Sequence, residues 1–125
     1  MPEKVKIQLE YEIKSSPKIL FSFLNEPNAL AQWFADEVTI RDNIYTFQWH
    51  EDSKRAKLIN VKENKSVRYK WIDDEPYYFE LEIVQDELTN DVALAVTDFV
   101  KEENLEDRKL IWDNSIDYLS SVLGA

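Results

Sequence analysis

Residues 104–123 read NLEDRKLIWDNSIDYLSSVL, a segment whose burial needs decide what the rest of the chain has to form. It contains neither Gly nor Pro. Asn104 stands where an N-cap belongs, and Glu106 and Asp107 follow in the first turn, where the helix dipole favours acids. At ~100° per residue, Leu105, Trp112, Ile116, Leu119 and Leu123 fall within an arc of about 60°. Ile111, Val122 and the small Ser115 flank that stripe. The spacing predicts a helix of about twenty residues, roughly 30 Å long. A single apolar stripe on so long a helix must be buried against another apolar surface.

That surface is supplied by the residues upstream. From Glu37 to Phe99 the hydrophobic period is two, which reads as strands over 38–41, 45–49, 54–63, 66–72, 77–85 and 91–99. Asp42-Asn43, Asn64-Lys65 and Thr89-Asn90 supply polar turns between paired strands, so the set reads as an antiparallel meander. Parity assigns Phe47 and Trp49, Ile59 and Val61, and Val67, Tyr69 and Trp71 to one inner face. Phe79, Leu81 and Ile83, then Val92, Leu94 and Val96, complete that face. Lys57, Arg68 and Lys70 with Glu80 and Glu82 fall outside, with opposite charges on neighbouring strands.

Before the meander, Val5, Ile7, Leu9, Tyr11 and Ile13 alternate with Lys6, Gln8, Glu10 and Glu12, the pattern of a half-buried strand. Ser16-Pro17 signals a helix start, with Ile19, Leu20, Phe23 and Leu24 at helical spacing. Asn25-Glu26-Pro27 opens a second short helix whose apolar members are Leu30, Trp33 and Phe34. Trp33 can pack inward with Leu30, whereas Phe34 lies about 100° further round and is left toward the edge of the core.

Composition narrows the function classes. At 125 residues the chain reads as one domain over residues 1–125. The balance of 25 acidic against 15 basic residues, a formal charge of −10, repels phosphate backbones and anionic headgroups, so neither nucleic acid nor a membrane is expected as a partner. No apolar run approaches the ~20 residues that span a bilayer, and the N-terminus alternates where a secretory signal would run apolar. The absence of Cys fits a reducing cytoplasm, the expected location. The single glycine, Gly124, leaves no Gly-rich phosphate loop, and no cofactor is expected.

The order strand, two short helices, six strands and a long C-terminal helix resembles the helix-grip fold of the START-like (SRPBCC) superfamily. The local wording is similar to the branch related to activators of the Hsp90 ATPase. The residues that carry this are Ser16-Pro17, Pro27 followed by Leu30-Ala31-Gln32-Trp33-Phe34, and Trp112 with Leu119 after it. The resemblance implies an α+β helix-grip fold. Its curved antiparallel sheet of about seven strands wraps the last helix, with an apolar cavity between them.

Few residues suggest chemistry. His50 is the only His, follows Trp49, and reads as a hairpin residue with no nucleophile partner. One His and no Cys do not make a zinc site, and no metal is expected. Asp73-Asp74-Glu75, followed by Pro76, reads as a solvated hairpin tip. Asp98 continues the inward parity of its strand and is the one candidate for an in-cavity acid or base.

The aromatics carry the main functional expectation. Trp33, Phe47, Trp49, Tyr69, Trp71, Phe79 and Trp112 converge between sheet and helix, with Trp33 and Phe34 at the mouth and Ser115 leaving space. This set is the expected ligand-binding surface of a non-enzymatic module that holds a small hydrophobic or aromatic molecule. Two alternatives stand beside it. One is a protein-interaction module of the Hsp90 co-chaperone type, with Phe34 and Leu110 as exposed contacts and a chaperone or other protein as partner. The other is a cyclase- or hydrolase-like enzyme using Asp98.

Overall fold

The computed structural model of the protein describes residues 3–124. Strand β1 (Lys4–Glu12) leads to helix α1 (Pro17–Asn25) and the single-turn helix α2 (Pro27–Leu30). Six strands follow, β2 (Glu37–Arg41), β3 (Ile44–Trp49), β4 (Asp52–Lys62), β5 (Ser66–Trp71), β6 (Tyr78–Gln85) and β7 (Val92–Lys101). A 3-10 turn (Glu102–Asn104) then opens the long helix α3 (Leu105–Val122). The sheet is antiparallel throughout, with order β1-β7-β6-β5-β4-β3-β2, so the first strand closes against the last. The α1–α2 segment carries the chain from the β1 edge to the β2 edge. Helix α3 lies on the curved sheet's inner face, and the architecture is a seven-stranded helix-grip fold of the α+β class.

The turns form without glycine because short polar side chains take the left-handed positions. Asp42 (φ 52°), Asn43 (φ 66°), Asn64 (φ 60°) and Asn90 (φ 63°) all lie between paired strands. Ser16 caps α1 by accepting the Ile19 N–H at 3.2 Å, with Pro17 following at the first helical position. Asn104 occupies the N-cap place of α3, but its side chain makes no capping bond, because the 3-10 turn hands the chain into the helix directly. On the outer face Arg68 meets Glu80 at 2.6 Å across β5 and β6, as the alternating charges suggested.

The inner face differs from the simple parity reading in one strand. Between Leu58 and Asn60 the β4–β5 register shifts by one residue, so Ile59 is the extra residue of a bulge. Upstream of it the even positions point inward, and Ala56 and Leu58 pack there while Ile59 and Val61 are exposed. Tyr45, opposite Ala56, joins Phe47 in the core. In α1 the buried residues are Leu20, Phe21 and Leu24, while Ile19 faces solvent.

One end of the core is closed by a cap made of aromatic donors. Helix α1 ends without a glycine, leaving carbonyls in its last turn that have no intrahelical partner. Trp33 donates Nε1–H to Phe23 O at 2.8 Å, Tyr69 donates its hydroxyl to Leu24 O at 2.6 Å, and Tyr45 donates its hydroxyl to Asn25 O at 2.6 Å. Three consecutive carbonyls are thereby satisfied from outside the helix, two of them by the sheet.

Candidate functional site

The alternation of β7 turns Val92, Leu94, Val96, Asp98 and Val100 inward, so a carboxylate enters an apolar face. Asp98 is only 3% exposed, and burial of that charge demands partners. Its Oδ1 accepts the Phe99 N–H at 2.7 Å. Its Oδ2 accepts both Arg108 Nη1–H and Trp112 Nε1–H, each at 2.8 Å. Arg108 and Trp112 are four residues apart on α3 and therefore share a helix face. Asp98 thus acts as the junction that fixes α3 on β7.

Beside this junction the sheet and helix part to leave a cavity of about 240 Å³. Phe34, Trp49, Trp71, Phe79 and Trp112 form its walls, and Asp98, Arg108 and Ser115 complete the side toward α3. Asp52, Lys54 and Ile111, all exposed, mark where it opens to solvent. Phe34 sits at the meeting point of the rings. It stacks on Phe79 at 5.1 Å between centroids and meets Phe47 edge-on at 5.0 Å. Trp49 lies 5.6 Å away edge-on, and Trp112 lies 5.8 Å away. Trp49 also donates Nε1–H to Phe34 O at 2.8 Å, which holds the backbone that carries the ring.

Six of the aromatic and small residues expected to converge therefore surround this space, namely Phe34, Trp49, Trp71, Phe79, Trp112 and Ser115, with Asp98 beside them. Trp33, Phe47 and Tyr69 do not. They are buried in the packed end of the core, and the polar atoms of Trp33 and Tyr69 are spent on α1 carbonyls. Of the pair Trp33 and Phe34, only the second reaches the mouth. Phe34 is half-buried against the neighbouring rings and so is not an exposed contact, whereas Leu110 does face solvent.

Four lining residues escaped the sequence reading, Asp52, Lys54, Arg108 and Ile111. Asp52 pairs with Trp49 and Lys54 with Phe47, so both start β4 on the inner face. The bulge at Ile59 reverses the parity of the strand, and counting back from Ile59 and Val61 sends Lys54 outward. The available signal was Ala56 with Leu58, an apolar pair of the opposite parity. Arg108 could have been found from Asp98, because an inward carboxylate needs a cation and Arg108 stands one turn before Trp112.

Elsewhere the shifted phenols and the acids of the β5–β6 tip have partners. Burial pushes the Tyr45 and Tyr69 phenols up, keeping them as neutral donors to their carbonyls. Tyr11 is likewise pushed up, first by burial and then by its 2.7 Å bond to Asp113 of α3. His50 lies exposed in the β3–β4 turn. At the β5–β6 tip Asp73 pairs with Arg55, Asp74 with Lys4 and Glu75 with Lys70. Among the described residues no three His, Cys, Asp or Glu side chains converge on a common point.

A family model for the START-like superfamily domain matches residues 1–125. The chain belongs to the START-like superfamily. A Bacteroides fragilis protein solved by NMR is similar at 34% identity, with 96% of this chain and 91% of that one aligned at a TM-score of 0.67. The Aha1 dimer of Colwellia psychrerythraea is similar at 16% identity over 95% and 96% of the two chains, with a TM-score of 0.81. DynU16, from the dynemicin biosynthetic locus, is similar at 12% identity over 96% of this chain and 47% of that one, with a TM-score of 0.78. The last two likenesses show the shared fold alone. No curated protein matches the chain. Among the described residues of this START-like domain no helix is long and apolar enough to cross a membrane.

Proposed function

We propose that this START-like domain is a non-enzymatic binding module that holds one small, hydrophobic, aromatic molecule between the sheet and α3. The observation that carries the reading is the 240 Å³ cavity walled by five aromatic rings and open on one side. Its volume falls below the ~300–1,000 Å³ of drug-sized pockets, which favours one or two fused rings over a sterol or a long acyl chain. Burial of the ligand's apolar area at about 25 cal/mol per Å² supplies the driving force. Three of the four tryptophans, Trp49, Trp71 and Trp112, line the space and act as built-in reporters. Titration of tryptophan fluorescence with indole, naphthalene, a flavonoid, a fatty acid and a sterol tests this. A saturable change for the compact aromatics supports the reading, and no change for any member overturns it.

The enzymatic alternative has less support, because the Asp98 oxygens already accept three hydrogen bonds. The protein-interaction alternative draws on Ile111, Tyr118 and Val122, which share one exposed flank of α3 at spacings of seven and four, with Leu110 nearby. It expects the purified domain to bind an Hsp90-type chaperone and the Tyr118→Ser variant to lose that binding. Equal binding by wild type and variant, or none by either, removes it.

A further inference from the structure

The cavity has a charged end as well as an aromatic one, and the two cations there are engaged to different degrees. Arg108 gives one guanidinium N–H to Asp98 at 2.8 Å, and the rest of its fork makes no hydrogen bond among the described residues. Asp98 holds that guanidinium in place, and its oxygens also accept Phe99 N–H and Trp112 Nε1–H. Lys54 forms no ion pair among the described residues, and its ammonium sits 5.5 Å above the Trp71 ring, itself a wall of the cavity. Asp52 is the remaining charge at the opening, exposed and accepting the Ser53 N–H at 2.9 Å.

Lys54 and Asp52 are exposed, so burial forces neither into a partnership, and the Lys54 ammonium is held only against the Trp71 ring. A guanidinium fork anchored by one N–H, with others free, is shaped to take a planar two-oxygen acceptor. The Lys54 ammonium adds a point charge at the same cavity. The surrounding protein carries −10, whereas at this cavity Asp52 and Asp98 are balanced by Lys54 and Arg108, so the mouth is a locally neutral patch where the free guanidinium N–H groups and the ammonium can meet an anion.

We infer that the occupant is a planar aromatic carboxylate, its ring among Phe34, Trp71 and Phe79 and its carboxylate on Arg108 and Lys54. This rests on the ligand-cavity reading and adds the ligand's charge to it.

The test compares 2-naphthoate with two isosteres, neutral 2-naphthamide and cationic 2-naphthylmethylamine, by isothermal titration calorimetry. The naphthoate is expected to bind about tenfold more tightly than the amide, the return from one charge-assisted hydrogen bond, and to weaken as salt is raised. Lys54→Gln, an exposed site with no ion pair to lose, should weaken naphthoate by roughly threefold or more while leaving the amide within about twofold. Arg108→Gln should remove the preference for the acid. Where that variant fails to fold because Asp98 loses its cation, the ligand series and Lys54→Gln decide the matter. Equal affinity for naphthoate and naphthamide, or tightest binding of the amine, overturns the carboxylate and leaves the aromatic cavity standing. No binding by any of the three overturns both.

Discussion

The two ends of the aromatic layer use the same residue types for different purposes. At the α1 end, Trp33, Tyr45, Phe47 and Tyr69 are buried, and each polar tip is fixed to a helix carbonyl. At the α3 end, Phe34, Trp49 and Trp71 are only half-buried, and space remains between them and Ser115. What separates the ends is where the donors point. Rings that satisfy the last turn of α1 are drawn against it and close the gap, whereas Trp49 and Trp112 are anchored along the cavity wall to Phe34 O and Asp98. The packed end makes the fold stable, and the open end keeps the space in which the proposed ligand would sit.

The sharpest way to break that contrast is truncation on each side. Phe47→Ala removes a ring with no exposure from the packed end and should destabilise the domain by about 3–5 kcal/mol. Trp71→Ala removes a larger ring from the half-solvated end and should cost about 1–2 kcal/mol, because its neighbours on one side are already water. Urea denaturation of the two variants measures both. Equal losses would mean that the cavity end is as tightly packed as the other.

Hydroxyl removal at the packed end is the next largest effect. Tyr69→Phe orphans the buried Leu24 carbonyl, at about 1–3 kcal/mol. It also changes the alkaline limb of stability. Burial raises the folded phenol above its ordinary value of 10.0, so the neutral form contributes fully below about pH 10. That contribution is lost as pH rises further, when the unfolded chain ionises and the folded one resists. Urea midpoints at about pH 8 and pH 11 should therefore converge more closely in Tyr69→Phe than in the wild type, with Tyr11 and Tyr45 supplying the residual slope.

The open end responds to filling. Ser115→Leu places a branched side chain in the cavity and should lower the affinity for a compact aromatic by about tenfold or more. Stability should change by less than about 1 kcal/mol in either direction, because the added methyl groups enter existing space. Unchanged affinity, read by tryptophan fluorescence, would place the ligand elsewhere.

Much of this was legible in the sequence, for identifiable reasons. Long periodic segments declared themselves, and the stripe on α3 gave the buried Trp112, Ile116 and Leu119 as well as the need for a sheet beneath them. Two things were hidden. The bulge at Ile59 is a backbone event with no glycine to announce it, and it sets Asp52 and Lys54 on the cavity side although Ile59 and Val61 follow the other parity. The division between ring faces and ring edges was hidden as well. Which aromatics cap α1 and which line a space depends on where helix carbonyls end in three dimensions, and residue type does not carry that information.

The smallest expected effect concerns neither end and calibrates both. The β2–β3 turn places Asp42 and Asn43 in succession at positive φ between Arg41 and its partner Ile44, the geometry of a two-residue primed hairpin. Asn tolerates that region because its short amide bonds locally, whereas Ala has no such bond to offset the close approach of its Cβ to the following carbonyl oxygen. Asn43→Ala should cost about 1 kcal/mol and Asn43→Gly should lie within about 0.5 kcal/mol of wild type. Both residues of the turn are exposed, so neither change reaches the core or the cavity. If urea denaturation showed Asn43→Ala to be as damaging as Phe47→Ala, stability would reside in the turns rather than in the packed rings, and the contrast between the two ends would lose its physical basis.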